Sequence, residues 1–274
     1  MQLFDTWENI RHTAPLIHHI TNYVTVNDVA NITLACGASP VMADDIEEAA
    51  EITKLAAGLC LNIGTLNQRT IPAMLAAAHQ AGKLHHPIVL DPVGAGATAL
   101  RTKTAQEILA TGYITCVRGN ISEIKTLVNG AGHTQGVDAS AVDSVTEENL
   151  AASCTFARQA SRQLGTIVAI TGAIDLVADS DKCCIIRNGR PEMSRITGTG
   201  CQCSAIVAAC LAANPGQPFA AAAAAVMAMG LAGEIAATCL PPKAGNASYR
   251  NCIIDTICHL NACDLEKGAR YEIR

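Results

Sequence analysis

Apolar residues in this chain fall into short continuous runs separated by stretches of helical period. The runs at 15–20, 39–42, 59–63, 87–91, 114–117 and 166–170 are the length of strands. Between them, Val26, Val29, Ala30 and Leu34 recur on one helical face over 26–35, with Gly37 as the stop. Further helices are predicted at 71–80, 104–110, 122–128 and 147–164, and a short lead-in helix carries Trp7 and Ile10. Asp44 or Asp45 is the expected cap of another helix, with Glu47 and Glu48 in the first turn where the dipole favours anions, and Gly58 as its end. Two short strands are read at 176–178 and 183–186. Asn188-Gly189 then predicts a hairpin turn into a strand at 193–196. The glycine-rich stretch 130–141 reads as an exposed loop, and helices at 200–213, 219–238 and 247–260 complete the chain.

Strands alternating with helices predict an α/β fold with a mainly parallel central sheet covered on both faces. No repeat, low-complexity linker or composition break divides residues 1–274, so one domain is expected.

Composition narrows the partners. Half the residues are hydrophobic and 16% are charged, enough for a large core. Aromatics are only 3%, which argues against base-stacking surfaces, and a net charge of −5 without a Lys/Arg cluster argues against a phosphate backbone. Small molecules and other copies of the chain remain. The 13 cysteines are odd in number and irregularly spaced, with Cys36, Cys60, Cys210 and Cys239 in apolar runs, so reduced core thiols are expected. No C-x-x-C pair suggests zinc. The run 219–233 reads as too short and alanine-rich to span a bilayer, and no signal-peptide pattern is seen, so a soluble cytoplasmic protein is expected.

In such sheets ligands bind at the carboxyl ends of the strands. The polar residues there are Asn22, Met42 with Asp44, Asn62 with Thr65, Asp91, Arg118 with Asn120 and Glu123, Thr171, and the turn Thr197-Gly198-Thr199-Gly200-Cys201. Each one alone is equally an ordinary cap or core residue. Together they offer carboxylates for a divalent cation, a guanidinium for phosphates and a helix start for an anion. No Walker loop, G-x-G-x-x-G, protein-kinase signature or G-x-S-x-G is present. The residues alone therefore leave three readings of the glycine turn: an anion hole, a plain turn before a buried thiol, or a cysteine nucleophile lacking a motif histidine.

The series His19-Ile20-Thr21-Asn22-Tyr23-Val24, Gly37-Ala38-Ser39-Pro40-Val41-Met42-Ala43, Asn62-Ile63-Gly64-Thr65-Leu66, Leu90-Asp91-Pro92-Val93-Gly94-Ala95, Arg118-Gly119-Asn120-x-Ser122-Glu123-Ile124 and Thr197-Gly198-Thr199-Gly200-Cys201 closely resembles the hydroxyethylthiazole kinases of the ribokinase-like superfamily. The resemblance runs in one order from about residue 15 to 260. It implies a ribokinase-like fold and ATP-dependent phosphorylation of 4-methyl-5-(2-hydroxyethyl)thiazole in thiamine biosynthesis or salvage. It also implies Mg²⁺, and a homotrimer with active sites between subunits. By motif, Met42, Gly198 and Asn22 would contact the thiazole, Arg118 and Thr171 would bind ATP, and Asp91 and Glu123 would hold Mg²⁺. Cys201 stands where the wider superfamily commonly carries an aspartate. It would guide the substrate hydroxyl and modestly assist its deprotonation. A thiol of ordinary pKa is a poor base near neutrality, although a helix N-terminus favours its thiolate. Cys203 is expected to face the core. The turn 245–250, with Tyr249 in place of the family's usual Phe, is the least regular match.

Overall fold

In the computed structural model, which describes residues 3–129 and 144–274, each apolar run becomes a strand that divides its side chains between two faces. The strands are β1 (Leu16–Ile20), β2 (Ser39–Met42), β3 (Gly58–Asn62), β4 (Ile88–Asp91), β5 (Cys116–Gly119), β6 (Ile167–Ile170), β7 (Asp175–Ala178), β8 (Cys183–Ile186) and β9 (Tyr271–Ile273). They form one sheet in the order β2-β1-β3-β4-β5-β6-β7-β8-β9. Pairing is parallel from β2 to β6 and antiparallel from β6 to β9. Side chains alternate along each strand, so Cys60, Val89, Cys116, Ala169, Val177 and Cys184 enter one core while Leu59, Leu61, Ile88, Leu90, Val117, Val168 and Ile170 enter the other.

The helices are α1 (Asp5–Thr13), α2 (Val26–Ala35), α3 (Ala49–Leu55), α4 (Thr70–Lys83), α5 (Ala99–Ala110), α6 (Ile121–Asn129), α7 (Leu150–Leu164), α8 (Thr199–Ala213), α9 (Pro218–Thr238), α10 (Asn246–His259) and α11 (Ala262–Gly268). The first core is closed by α1, α2 and α8 to α11, the second by α3 to α7. Helices α8 and α9 are buried nearly all round, which their unbroken runs of Ala, Cys, Val and Met permit.

The predicted strand at 193–196 is absent. Residues 193–195 belong to the short 3₁₀ helix Pro191–Arg195, Ile196 follows it in extended backbone, and the place beside β8 is taken by β9 from the end of the chain. The proline at its start fixes a helical φ and removes a strand donor. Helix α5 begins five residues before the predicted start, where Thr98 Oγ1 accepts the Arg101 N–H at 3.3 Å. Asp45 accepts the Glu47 N–H at 2.9 Å, closing a turn ahead of α3 rather than capping it. The stretch predicted as a loop at 130–141 lies outside the described residues. Helix α9, at 21 residues, is long and apolar enough to cross a membrane by length and composition, contrary to the expectation that its run is too short. Its burial between the sheet, α8 and α10 is what marks it as a core helix.

Candidate active site

Because the strands from β1 to β6 are parallel, their carboxyl ends lie along one edge, and polar residues placed there meet. Asn22 follows β1, Asn62 closes β3, Asp91 closes β4, Arg118 is in β5 and Thr171 follows β6. The register sets Asn62 beside Asp91 and Arg118 beside Ala169. Helix α8 packs on β3 and β4 and brings its N-terminus to this edge.

One hydrogen-bonded chain links these side chains. Asn62 Nδ2 donates to Asp91 Oδ2 at 2.8 Å and to Cys201 Sγ at 3.2 Å. Asn22 Nδ2 donates to Asn62 Oδ1 at 3.0 Å and to the same sulfur at 3.3 Å. Ser204 Oγ donates to Asp91 Oδ2 at 2.8 Å, and Arg118 Nη1 lies 3.5 Å from that oxygen. Arg118 Nη2 donates to Thr171 Oγ1 at 2.5 Å. Glu123 stands at the edge of this group. Its two oxygens accept the Gly94 and Asn120 N–H groups, each at 2.8 Å.

Burial governs the charges. It raises the pKa of Asp91, against the opposing pull of Arg118, Ser204 and Asn62. Glu123 is pushed up to about 7 by burial and then by the Asp91 charge, although two backbone N–H groups and Arg118 resist. Arg118 is fixed as a cation: the Asp91 carboxylate and neighbouring acidic groups outweigh its desolvation. Cys201 is raised above the ordinary thiol range, first by burial and then by Asp91; Thr25, Arg118 and Asn22 pull less strongly the other way. Desolvation outweighs the helix N-terminus, and Cys201 is a thiol near neutral pH.

The glycine turn brings backbone close to both sides of the site. Gly198 has φ +88°, and a Cβ there would lie 2.6 Å from Thr25 Cγ2. At Gly200 a Cβ would lie 2.6 Å from Arg118 Nη1. The first bond of the helical ladder is Gln202 N–H to Gly198 O, so the amides of Thr199, Gly200 and Cys201 precede it. A cavity of about 510 Å³ opens beside the turn; its lining includes Arg118, Thr171, Asp175, Thr199 and Gly200 together with the apolar Met193, Val226 and Met229. Cys203 lines it too, while also belonging to the first core.

Of the residues predicted for the site, Asn22, Asp91, Arg118, Thr171 and Cys201 are thus joined in one network, with Gly198 in the turn and Glu123 coupled to Asp91 through charge. Met42 ends the edge strand β2 beside His19, half-buried and packed on the first core, outside the hydrogen-bonded chain. Tyr249 is buried and donates to Gly233 O at 2.7 Å, a core role away from the cavity lining. Ser204 and Asp175 were not anticipated. Ser204 sits three residues after Cys201 on α8, a spacing that places both on one helical face.

No group of three or more His, Cys, Asp or Glu side chains able to hold a metal ion occurs among the described residues. A divalent cation still fits Asp91 and Glu123. Asp91 Oδ1 is buried with no hydrogen-bond partner, and burial and the Asp91 charge leave the Glu123 carboxylate in want of positive charge. Two carboxylates, with water and nucleotide phosphates completing the shell, are the usual donor set for Mg²⁺.

Residues 7–262 match the sequence profile described as the Hydroxyethylthiazole kinase family. A hydroxyethylthiazole kinase of Clostridium acetobutylicum is 54% identical over 97% of each chain. Among solved structures, the hydroxyethylthiazole kinase protein of Pyrococcus horikoshii superposes with a TM-score of 0.87 at 34% identity, over 99% of this chain and 98% of that one. A ribokinase-like superfamily protein of Enterococcus faecalis shares the fold, with a TM-score of 0.59 at 13% identity over 93% and 89% of the chains.

Proposed function

The chain belongs to the hydroxyethylthiazole kinase family, and from that membership we propose how its site transfers the terminal phosphoryl group of ATP to the hydroxyl of 4-methyl-5-(2-hydroxyethyl)thiazole. The observation that carries the proposal is the meeting of Cys201, Asp91 and Arg118 at the start of α8, with a cavity on the far side of the glycine turn. The thiazole lies on the side of Asn22, Met42 and Gly198, its hydroxyl at Cys201 Sγ. ATP lies in the cavity, its phosphates against Arg118, Thr171 and the amides of residues 199–201. The hydroxyl oxygen bonds to the terminal phosphorus, the bridging P–O bond breaks to release ADP, and the hydroxyl proton passes to solvent, or to Cys201 Sγ in the small fraction of sites where the thiol is ionised. Positioning and charge neutralisation dominate such a transfer, so a weak base suffices. Asp91 and Glu123 hold Mg²⁺, which supplies charge neutralisation at the phosphates when bound.

A panel of alcohols with ATP and Mg²⁺ tests this reading. ADP and thiazole phosphate are expected from the thiazole alcohol; turnover on a pyrimidine alcohol with none on the thiazole would overturn it.

Cys201 guides the hydroxyl and takes up its proton only weakly. Cys201→Ala is expected to lower kcat by about tenfold, less than the hundredfold or more that a full general base contributes. Because the thiol pKa is raised, the thiolate fraction grows only at alkaline pH. The native kcat should therefore climb from pH 7 to 9, and the variant profile, recorded at saturating substrates, should be flat.

Glu123, with its carboxyl pushed up to about 7, must lose a proton to hold the cation. Apparent Mg²⁺ affinity should then weaken as pH falls below about 7 and level off above it. Mg²⁺ titrations of activity between pH 6 and 8.5 read this directly, and Glu123→Gln should remove the pH dependence.

The active assembly is a homotrimer with sites between subunits. Support comes from large apolar side chains left exposed on the segments before and after β2: Tyr23 is 78% and Leu55 72% exposed, and Val24, Leu34 and Ile46 are exposed as well. Sedimentation should give three times the 28.4 kDa chain mass. Two cores on one sheet support a single domain over 1–274. All 13 cysteines are free, which suits the cytoplasm, where thiamine biosynthesis or salvage would use the product.

A further inference from the structure

Behind the cavity lies a carboxylate whose hydrogen bonds reach none of Asn22, Asp91, Arg118, Thr171 or Cys201. Glu234 on α9 is forked against Arg270, with Oε1 to Nη2 at 2.7 Å and Oε2 to Nη1 at 3.0 Å. Each oxygen also accepts from the cavity wall. Oε1 takes the Gly189 N–H at 2.7 Å, and Oε2 takes Asn188 Nδ2 at 3.2 Å. Asn188 and Gly189 line the cavity; Glu234 and Arg270 do not.

The C-terminal segment completes the clamp. Arg270 N–H donates to Asn188 Oδ1 at 2.7 Å, Arg270 Nη2 donates to Arg187 O at 2.6 Å, and Asn188 Nδ2 donates to Gly268 O at 3.0 Å. One helical turn before Glu234, Gly230 admits the wall directly: a Cβ there would lie 2.8 Å from Asn188 O. Both side-chain polar groups of Asn188 and the N–H of Gly189 are consumed in holding this wall rather than offered to a ligand. Charge-assisted bonds of this kind are stronger than neutral ones and directional.

We infer that Glu234, backed by Arg270, is a positioning residue for nucleotide binding: it fixes the Asn188–Gly189 wall and so sets the ATP affinity without touching ATP. The inference rests on the reading that the nucleotide occupies this cavity.

The test is steady-state kinetics of Glu234→Gln with each substrate varied in turn. Gln keeps the length of Glu but sets an NH₂ against donors that now meet an oxygen. The KM for ATP should rise about tenfold, with kcat and the KM for the thiazole alcohol within twofold of native. Arg270→Met should move the ATP KM in the same direction, and the double variant should fall short of the product of the single effects, since both act on one wall. An unchanged ATP KM in Glu234→Gln overturns the inference, and so does an equal rise in both KM values, which is what general loosening gives. Ser194→Trp, at an exposed position on the cavity lining, separates the two levels. If it raises the ATP KM while Glu234→Gln does not, only the clamp fails. If it leaves the ATP KM unchanged, the nucleotide is not in this cavity and both fail.

Discussion

Asp91→Asn is expected to lower kcat by about a thousandfold, the scale reached when a charge acting in the transition state is removed. The replacement keeps the shape of the network. Asn62 and Ser204 now donate to one carboxylate oxygen, and the amide oxygen of asparagine can accept both bonds. Its NH₂ then falls where Asp91 Oδ1 is buried without a partner. What disappears is the charge that pairs with Arg118 and, in the proposed complex, holds the cation. The circular dichroism spectrum should match the native protein while the kcat, measured at saturating ATP, thiazole alcohol and Mg²⁺, collapses. A kcat within tenfold of native would show that Asp91 is only a structural anchor.

Arg118→Met should lower kcat/KM for ATP by about as much, through a different route. The guanidinium is largely covered, lines the cavity, and is forked between Thr171 and Asp91. Methionine fills similar space but leaves Asp91 buried without its counter-charge, and uncompensated buried charges cost about 3–5 kcal/mol. Desolvation already raises the Asp91 pKa with Arg118 present; without Arg118 it rises further, and the carboxylate is lost at a higher pH. The variant should therefore lose ATP affinity and turnover together, and its melting temperature should drop. Arg118→Lys separates charge from geometry: an ammonium restores the counter-charge but cannot reproduce the fork to Thr171. Partial recovery in the lysine variant is expected, greater for stability than for kcat/KM.

Much of this site was legible because parallel strands deliver their last residues to one edge. Asn22, Asn62, Asp91, Arg118 and Thr171 could be assigned from the ends of apolar runs, and the glycine turn from its place before an apolar helix. The direction of their contacts was not legible. Helix α8 is apolar on every face, so no polar stripe announces which side meets the site, and Ser204 passes for a core residue. The protonation of Cys201 was not legible, because sequence shows the helix start but not the burial that opposes its pull on the thiol. The wall of the cavity was hidden for another reason. Asn188-Gly189 has the chemistry of a hairpin turn, but the partner of β8 comes from the chain end, beyond the last predicted helix. Sequence separation of that size leaves no local signal, and so Glu234 and Arg270 also stayed invisible.

The central claim is that the two substrates meet across the glycine turn, ATP in the cavity and the thiazole alcohol at Cys201. A crystal structure with 4-methyl-5-(2-hydroxyethyl)thiazole, Mg²⁺ and a non-hydrolysable ATP analogue tests it most directly. The expected complex has the hydroxyl oxygen within hydrogen-bonding distance of Cys201 Sγ and the terminal phosphate at the amides of residues 199–201 beside Arg118. A thiazole bound among Met193, Val226 and Met229, or a hydroxyl out of reach of Cys201, would contradict it.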